Sequence, residues 1–336
     1  MRAIAPGKII ISGEHSVVYG TPALAIAVNI HAHCHVRGMT ESSVRLCLGN
    51  GRCLAESPLA GLEALRLTTD DRYQNYLAGA KQITDVLPGA GQLYLYAVAM
   101  LFSHYGRAHG GGIEIILTSD IPIGSGMGSS AATVAAVLMA VSAYYGVTLD
   151  KMALFQLVSQ SERLQHGCNS TIDPMVTVHG GLIRIEQGQV EPLDKLPELN
   201  WYLVNSGAPE VSTGQCVTEV RRRFGTSTIW NEFHSVITGL EQALLCRDNA
   251  ALKEYLFRNH QLLVDIGVVP ATVQRFIDDL RSRYNAVGKV SGAGAVLGEK
   301  AGFLLVQSDQ PVDVLCREYG FPVTRLQCDP LGVRLC

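Results

Sequence analysis

Ile121-Pro122-Ile123-Gly124-Ser125-Gly126-Met127-Gly128-Ser129-Ser130 runs straight into Ala131-Ala132-Thr133-Val134-Ala135-Ala136-Val137-Leu138. The second part reads as a helix of small and apolar residues that closes near Tyr145-Gly146. The glycines therefore stand just ahead of a helix N-terminus, where backbone N–H groups lack partners and the helix dipole favours an anion. Glycine keeps Cβ atoms out of the way of a bulky anion. Ser129 and Ser130 add hydroxyls that can cap the helix or ligate a phosphate-bound Mg²⁺. The stretch reads as a triphosphate cradle, and taken alone also as an N-capped turn ahead of a core helix. No lysine follows the last glycine, so it is not a Walker loop, and it is not the GxGxxG that closes a first βα turn in dinucleotide-binding folds.

The chain has 336 residues, enough for two domains. A hydrophobic share of 47% against 17% charged is that of an ordinary globular protein. The net charge of -3 points away from nucleic acid or an anionic membrane as partner. The single basic cluster, Arg221-Arg222-Arg223, is short and reads as a solvated helix face. Nine cysteines lie singly, without CxxC or metal-ligand spacing, which predicts reduced thiols and a cytoplasmic setting. The N-terminal residues read as neither a signal nor a transit peptide, and no unbroken apolar run has the length of a membrane span.

Taken in order, Ile9 to Ile11 reads as a short strand with Lys8 before it and Glu14-His15 beyond it. Ala23 to Asn29 is a second strand, continued by Ile30 to Val36. There His31, His33 and His35 alternate, which fits outward positions of a half-exposed strand better than a metal site. Val44 to Leu48 and Gly112 to Ser119 are strands; 57–85 and Gln92 to Tyr105 read as helices, as does Asp150 to about His166. A boundary is expected around 192–199. Beyond it come a strand at 201–205, helices to about 283, and strands at 302–307 and 323–328. Strands followed by helix runs in each half argue an α+β protein.

Three segments together resemble the GHMP small-molecule kinases, and among them the mevalonate kinase branch. Pro6-Gly7-Lys8-Ile9-Ile10-Ile11-Ser12-Gly13-Glu14-His15-Ser16-Val17-Val18-Tyr19-Gly20 looks like their first motif. Pro122 to Ala132 looks like their phosphate loop, with Met127 where leucine is usual. Glu162 to Asp173 resembles the segment ExxxHGxxSxxD, and Arg258-Asn259-His260-Gln261-Leu262-Leu263 an Asn/His-Leu-Leu helix. The chain departs from the pattern in its third motif. Lys289-Val290-Ser291-Gly292-Ala293-Gly294 is kept, but Ala295-Val296-Leu297-Gly298 replaces a run of glycines. Cys168-Asn169 stands where Asn-Pro is common, and Pro174 where asparagine is usual.

The resemblance implies a two-lobed α+β fold with the active site between the lobes. Residues 1–195 would form an ATP-binding and catalytic lobe like ribosomal protein S5 domain 2, and 196–336 a ferredoxin-like lobe. It implies ATP and Mg²⁺ as cofactors and mevalonate as the small-molecule substrate, with a homodimer as a family expectation. Asp173 would be the catalytic base, with Lys8 beside it stabilising charge. Glu162 and Ser130 would hold Mg²⁺. Gly124, Ser125, Gly126, Met127, Gly128, Ser129 and Ser130 would wrap the phosphates, with Asn50 and Ser119 as further nucleotide positions. Glu14, His15, Ser170, Thr213, Gly292 and Ala293 would line the substrate end. The physics agrees, because phosphoryl transfer asks mainly for positioning, charge neutralisation and a base. Two other readings stand beside it. One is a sister enzyme: phosphomevalonate kinase, mevalonate 3-kinase or a sugar kinase. The other is a non-catalytic ligand-binding regulator, which would be expected to have lost the base or the metal ligand.

Overall fold

The computed structural model describes residues 1–107, 110–122, 125–167, 172–193 and 200–336, with the backbone alone at His166. The first half opens with β1 (Arg2–Ser12) and β2 (Ala23–Met39), then a hairpin of β3 (Ser43–Leu48) and β4 (Cys53–Pro58). Helices α1 (Leu62–Leu77) and α2 (Gln92–Tyr105) lead to β5 (Gly112–Ser119). Then come α3 (Ser129–Tyr144), α4 (Lys151–His166) and α5 (Ile172–His179), and a hairpin of β6 (Leu182–Glu186) and β7 (Gln189–Leu193). The second half holds β8 (Trp201–Asn205), α6 (Thr213–Phe224), α7 (Ile229–Cys246), α8 (Asn249–Asp265) and α9 (Ala271–Tyr284). It ends with β9 (Val287–Val290), β10 (Phe303–Gln307), α10 (Asp313–Tyr319), β11 (Val323–Arg325) and β12 (Arg334–Leu335).

The long strand β2 is the spine of the first lobe. It pairs antiparallel with β1, β5 and β6, and β3 lies parallel to β5. β1 begins earlier than its apolar run suggests and passes through Pro6, where the register shifts between Pro6 and Gly7. Proline has no N–H for the ladder and is tolerated in a strand at such an irregularity. Behind the sheet lies α3, whose residues from Ala131 to Leu138 are all buried. A helix apolar on every side belongs in a core, and its small residues let it pack closely on β1 and β2.

The expected helix over 57–85 is shorter. β4 occupies its start, α1 runs from Leu62 to Leu77, and a separate turn follows at Ile83–Asp85. α5 was hidden in the sequence by Pro174, but this proline is the third residue of the helix. The first helical turn has no intrahelical use for its N–H groups, so proline fits there. His31 and His33 pair with Asp329 and Asp120, and among the described residues no cluster of metal-ligating side chains forms. The described cysteines form no disulfide, and no described helix is long and apolar enough to cross a membrane.

In the second sheet the order is β11-β8-β10-β9, all antiparallel. The last of these strands lies beside the first, followed by the third and the second, which is the ferredoxin-like arrangement. The sequence boundary at 195/196 lies outside the described residues. Beyond β11 the chain returns to the first lobe. β12 pairs with β1, Asp329 N–H donates to the Ala27 carbonyl at 2.9 Å, and Val333 N–H to the Thr177 carbonyl at 3.0 Å. The Asp329 side chain fastens this strap. It accepts from His31 Nε2 at 2.6 Å, from Leu331 and Gly332 N–H at 3.0 and 3.1 Å, and from Arg334 Nη1 at 2.9 Å.

Burial pushes the Asp329 carboxyl up, but the bonds from His31 and Arg334 outweigh it and hold it below the ordinary carboxylate value. A depressed carboxylate contributes stability that is fully present above its unfolded value and lost as pH falls through the folded one. Asp329→Asn should therefore cost about 1–3 kcal/mol at neutral pH. In urea titrations its gap from the unmodified chain should close once the pH drops below about 3.9. A gap that stays constant into acid would remove the carboxylate from this role.

Candidate active site

The phosphate-loop stretch begins where β5 ends. Ser119 Oγ accepts the Ile121 N–H at 3.1 Å, and Ser125 Oγ donates to the Pro122 carbonyl at 2.6 Å. Gly124 lies outside the described residues. Met127 is buried, and its carbonyl accepts the backbone N–H of Lys8 at 2.9 Å. An apolar side chain is needed there because it plugs the core beneath the loop, which methionine does as well as leucine. Gly126 faces open space, since a Cβ built on it meets nothing within 4 Å. Gly128 caps α3 at φ 68°, a conformation that glycine adopts without penalty. A Cβ there would come 3.2 Å from Lys8 Cγ and 3.4 Å from Asp173 Cβ. The loop thus lies directly against these two side chains.

Lys8 projects from β1 and Asp173 from the first turn of α5, with Nζ and Oδ1 3.1 Å apart. The ammonium is nearly enclosed, with the Lys8 side chain 5% exposed, whereas Asp173 keeps 28% exposure toward the open side. Thr177, one turn further along α5, donates Oγ1 to the Pro6 carbonyl at 3.0 Å. That bond ties the helix carrying Asp173 to the strand carrying Lys8, two residues before it.

Ser130, in the first turn of α3, bonds through Oγ to Glu162 at 2.6 Å and to Gln165 at 2.7 Å, both on α4. A hydroxyl has one proton to give. With Glu162 taking it, the Gln165 amide must turn to donate through Nε2. Asn50 lies just beyond β3 and Ser119 is the last residue of β5, at the neighbouring ends of these parallel strands, where Leu48 pairs with Leu117, on the side where the loop starts. A cavity of about 250 Å³ lined by Ile83, Leu87, Leu93, Leu164 and Gln165 opens beside Ser130's partner.

The other end of the site joins the lobes. Glu14 follows β1, and its carboxylate meets the ammonium of Lys289 on β9; their side chains are 1% and 0% exposed. Burial pushes the Lys289 ammonium below its ordinary value, against the pull of the Glu14 charge. His15 Nε2 bonds the Ala293 carbonyl at 2.9 Å. A carbonyl only accepts, so Nε2 carries the proton and Nδ1 is left as an acceptor, buried without a partner among the described residues. Burial also holds the His15 imidazole below its ordinary value, against the bond to Ala293. Ser291 Oγ donates to the Ile10 carbonyl at 3.1 Å, and Cys216 Sγ to the Ala293 carbonyl at 3.0 Å. Gly292 between them leaves open space at its Cβ position. Thr213 begins α6, capped by Ser212 one turn ahead of Cys216. Ser170 lies outside the described residues.

The structure thus gathers Lys8, Asp173, Met127 and Gly128 at one centre, Ser130 with Glu162 beside the loop, and Glu14, His15 and Ala293 at the lobe junction. Sequence reasoning missed Thr177, Gln165 and the Lys289 pairing; a threonine four residues after the aspartate was the available signal for the first. Lys289 also faces His260 on α8, whose imidazole is driven down to about 4, mainly by burial and further by that ammonium. A buried histidine that stays neutral loses stability on acidification, because the unfolded chain takes up a proton the folded one refuses. Between about pH 6.5 and 4 the expected slope is about 1.4 kcal/mol per pH unit. His260→Gln should flatten the denaturation profile in that window, and an unchanged slope would contradict the neutral assignment.

Comparison with known proteins agrees with this geometry. Residues 92–181 match the GHMP kinases N terminal domain. The mevalonate kinase of Archaeoglobus fulgidus is 31% identical over 299 residues, covering 88% of this chain and 89% of its own. That of Pyrococcus horikoshii is 30% identical over 306 residues, covering 87% and 85%. The crystal structure of the Methanococcus jannaschii mevalonate kinase superposes with a TM-score of 0.81 at 20% identity, over 98% of each chain. At that identity the likeness speaks for the fold, the two-lobed α+β arrangement of an S5-domain-2-like and a ferredoxin-like lobe. Shared sequence at this level along most of the chain, on a fold of this kind, makes the protein a member of the GHMP kinase family in its mevalonate kinase branch, and so an ATP-dependent kinase.

Proposed function

We propose that this chain transfers the γ-phosphoryl group of ATP to the 5-hydroxyl of mevalonate, giving 5-phosphomevalonate. The observation that carries the proposal is the Lys8–Asp173 contact of 3.1 Å pressed against the phosphate loop at Gly128. Asp173 accepts the proton of the attacking hydroxyl, which lets the oxygen close on phosphorus. Lys8 balances the carboxylate and the charge that builds on the oxygen and the transferring group. Backbone N–H groups around Gly126 and Gly128 and the N-terminus of α3 face the phosphates. Asn50 and Ser119 mark the nucleoside end, and Glu14, His15, Thr213, Gly292 and Ala293 the alcohol end.

The donor set at Ser130 and Glu162 fits Mg²⁺. A hydroxyl and a carboxylate are hard oxygen ligands, and Mg²⁺ takes one or two from a protein while phosphates and water supply the rest. Bound there, Mg²⁺ would neutralise charge on the β- and γ-phosphates. Gln165 would keep the Ser130 hydroxyl aimed. The altered loop at Ala295 to Gly298 bears on the choice of alcohol, so a coupled ADP-release assay across a panel of alcohols and their phosphates is the deciding experiment. Turnover of mevalonate above the sister substrates supports the proposal, and preference for another acceptor overturns it.

Asp173→Asn should lower kcat by at least about 10²-fold while ATP still binds, because the amide keeps shape and cannot take a proton. Lys8→Met should be comparably severe, and the double variant far less than multiplicatively worse, since the two act as one unit. More than a tenth of the original kcat in Asp173→Asn would rule out the proton transfer. Glu162→Gln should shift the Mg²⁺ dependence of nucleotide binding, measured by fluorescent-nucleotide displacement, with the fold intact by circular dichroism. An identical Mg²⁺ titration would refute that ligand.

A further inference from the structure

The loop that presents Glu14 and His15 belongs to the first lobe by sequence, yet its outward contacts run to the second. Glu14 meets Lys289 on β9, and His15 meets the Ala293 carbonyl in the following loop. At the far end of the same loop Tyr19 stacks on Trp230 of α7, with ring centroids 4.1 Å apart and planes inclined by 13°. Trp230 is itself fixed. It is buried, its Nε1 donates to the Phe224 carbonyl at 2.8 Å, and Phe233 packs beside it at 5.4 Å between centroids. Between the two ends the loop is short and stiff. Ser16–Tyr19 forms a single 3-10 turn, Val17 N–H donates to the Gly13 carbonyl at 3.1 Å, and Thr21 Oγ1 donates to Ser16 Oγ at 2.7 Å. His15 adopts φ 59°, a backbone state that a non-glycine side chain keeps only when its surroundings hold it there.

We infer that Trp230 is a positioning residue for the alcohol site: its stack with Tyr19 fixes the loop from behind and so sets where Glu14 and His15 stand. The inference rests on the proposed function, which puts those two residues at the alcohol end. It adds an aromatic pair away from the reacting atoms on which affinity for the alcohol depends and affinity for the nucleotide does not. The phosphate loop and α3 make no such contact with Tyr19 or Trp230 among the described residues. An ordinary core pair would behave differently, since its loss would lower stability and disturb both substrates alike.

The test measures the KM for mevalonate and for ATP separately. Tyr19→Ala should raise the mevalonate KM about two- to twelve-fold, the range of an aromatic pair, with the ATP KM unchanged. Tyr19→Phe keeps the ring and should restore the original value. Trp230→Phe should do less harm than Trp230→Ala, and Tyr19→Ala combined with Trp230→Ala should be less than multiplicative. Equal rises in both KM values, an unchanged mevalonate KM in Tyr19→Ala, or multiplicative effects in the double variant would overturn the inference. Should Trp230→Ala fail to fold, the Tyr19 pair of variants alone decides. Absence of mevalonate turnover in the unmodified chain would instead condemn the functional reading. Turnover in that chain with an unmoved KM in Tyr19→Ala condemns the positioning role alone.

Discussion

A lysine and a glutamate shut away from water join the two lobes. Lys289 and Glu14 are separated by 275 residues and each is essentially unexposed. Moving either charge out of water costs several kcal/mol, and only the partner's opposite charge offsets it. Each charge therefore depends on the other across the junction: removing one partner would leave the other an uncompensated buried ion, a loss of about 3–5 kcal/mol. Everything at this junction inherits the constraint. His15 is the next residue after Glu14, and Ala293, whose carbonyl accepts the His15 Nε2 hydrogen bond, lies four residues beyond Lys289.

The glycine-loop end is organised by a different constraint, the closeness of backbone to backbone. Lys8 N–H bonds the Met127 carbonyl, so strand and loop share one hydrogen bond next to the lysine. A residue with a Cβ at position 128 would crowd the Lys8 side chain and lie against Asp173. The small residues of α3 allow that helix to lie on the sheet closely enough for its N-terminus to reach the pair. Electrostatics then acts over short distances in a partly enclosed space, where charge counts for more than it does in water.

What could be read in the sequence was local. The glycine loop, the strand after Lys8 and the helix starting at Asp150, whose carboxylate accepts the Ala153 N–H, are set by neighbouring residues. The ferredoxin-like lobe was expected from resemblance, and its strand order agrees. Partners distant along the chain could not be read. Nothing near Glu14 announces Lys289, and nothing near Tyr19 announces Trp230. α5 was not anticipated, since it holds Pro174 in a first turn that tolerates proline. The stretch over 57–85 misled because β4 and α1 adjoin with only a brief turn between Pro58 and Leu62.

The returning strap has a bearing on how the protein is made. The first lobe takes part of its sheet from Arg334 and Leu335, and Asp329 supplies the partner of His31. A ribosome adds about 5–20 residues per second, so the strand edge of β1 waits many seconds for residues synthesised some three hundred positions later. Until then the first lobe carries an unpaired edge, the kind of surface on which other chains can add. The order of synthesis makes the second lobe a required step in finishing the first, and a chain stalled after α10 would leave the ribosome with its earliest strand still open.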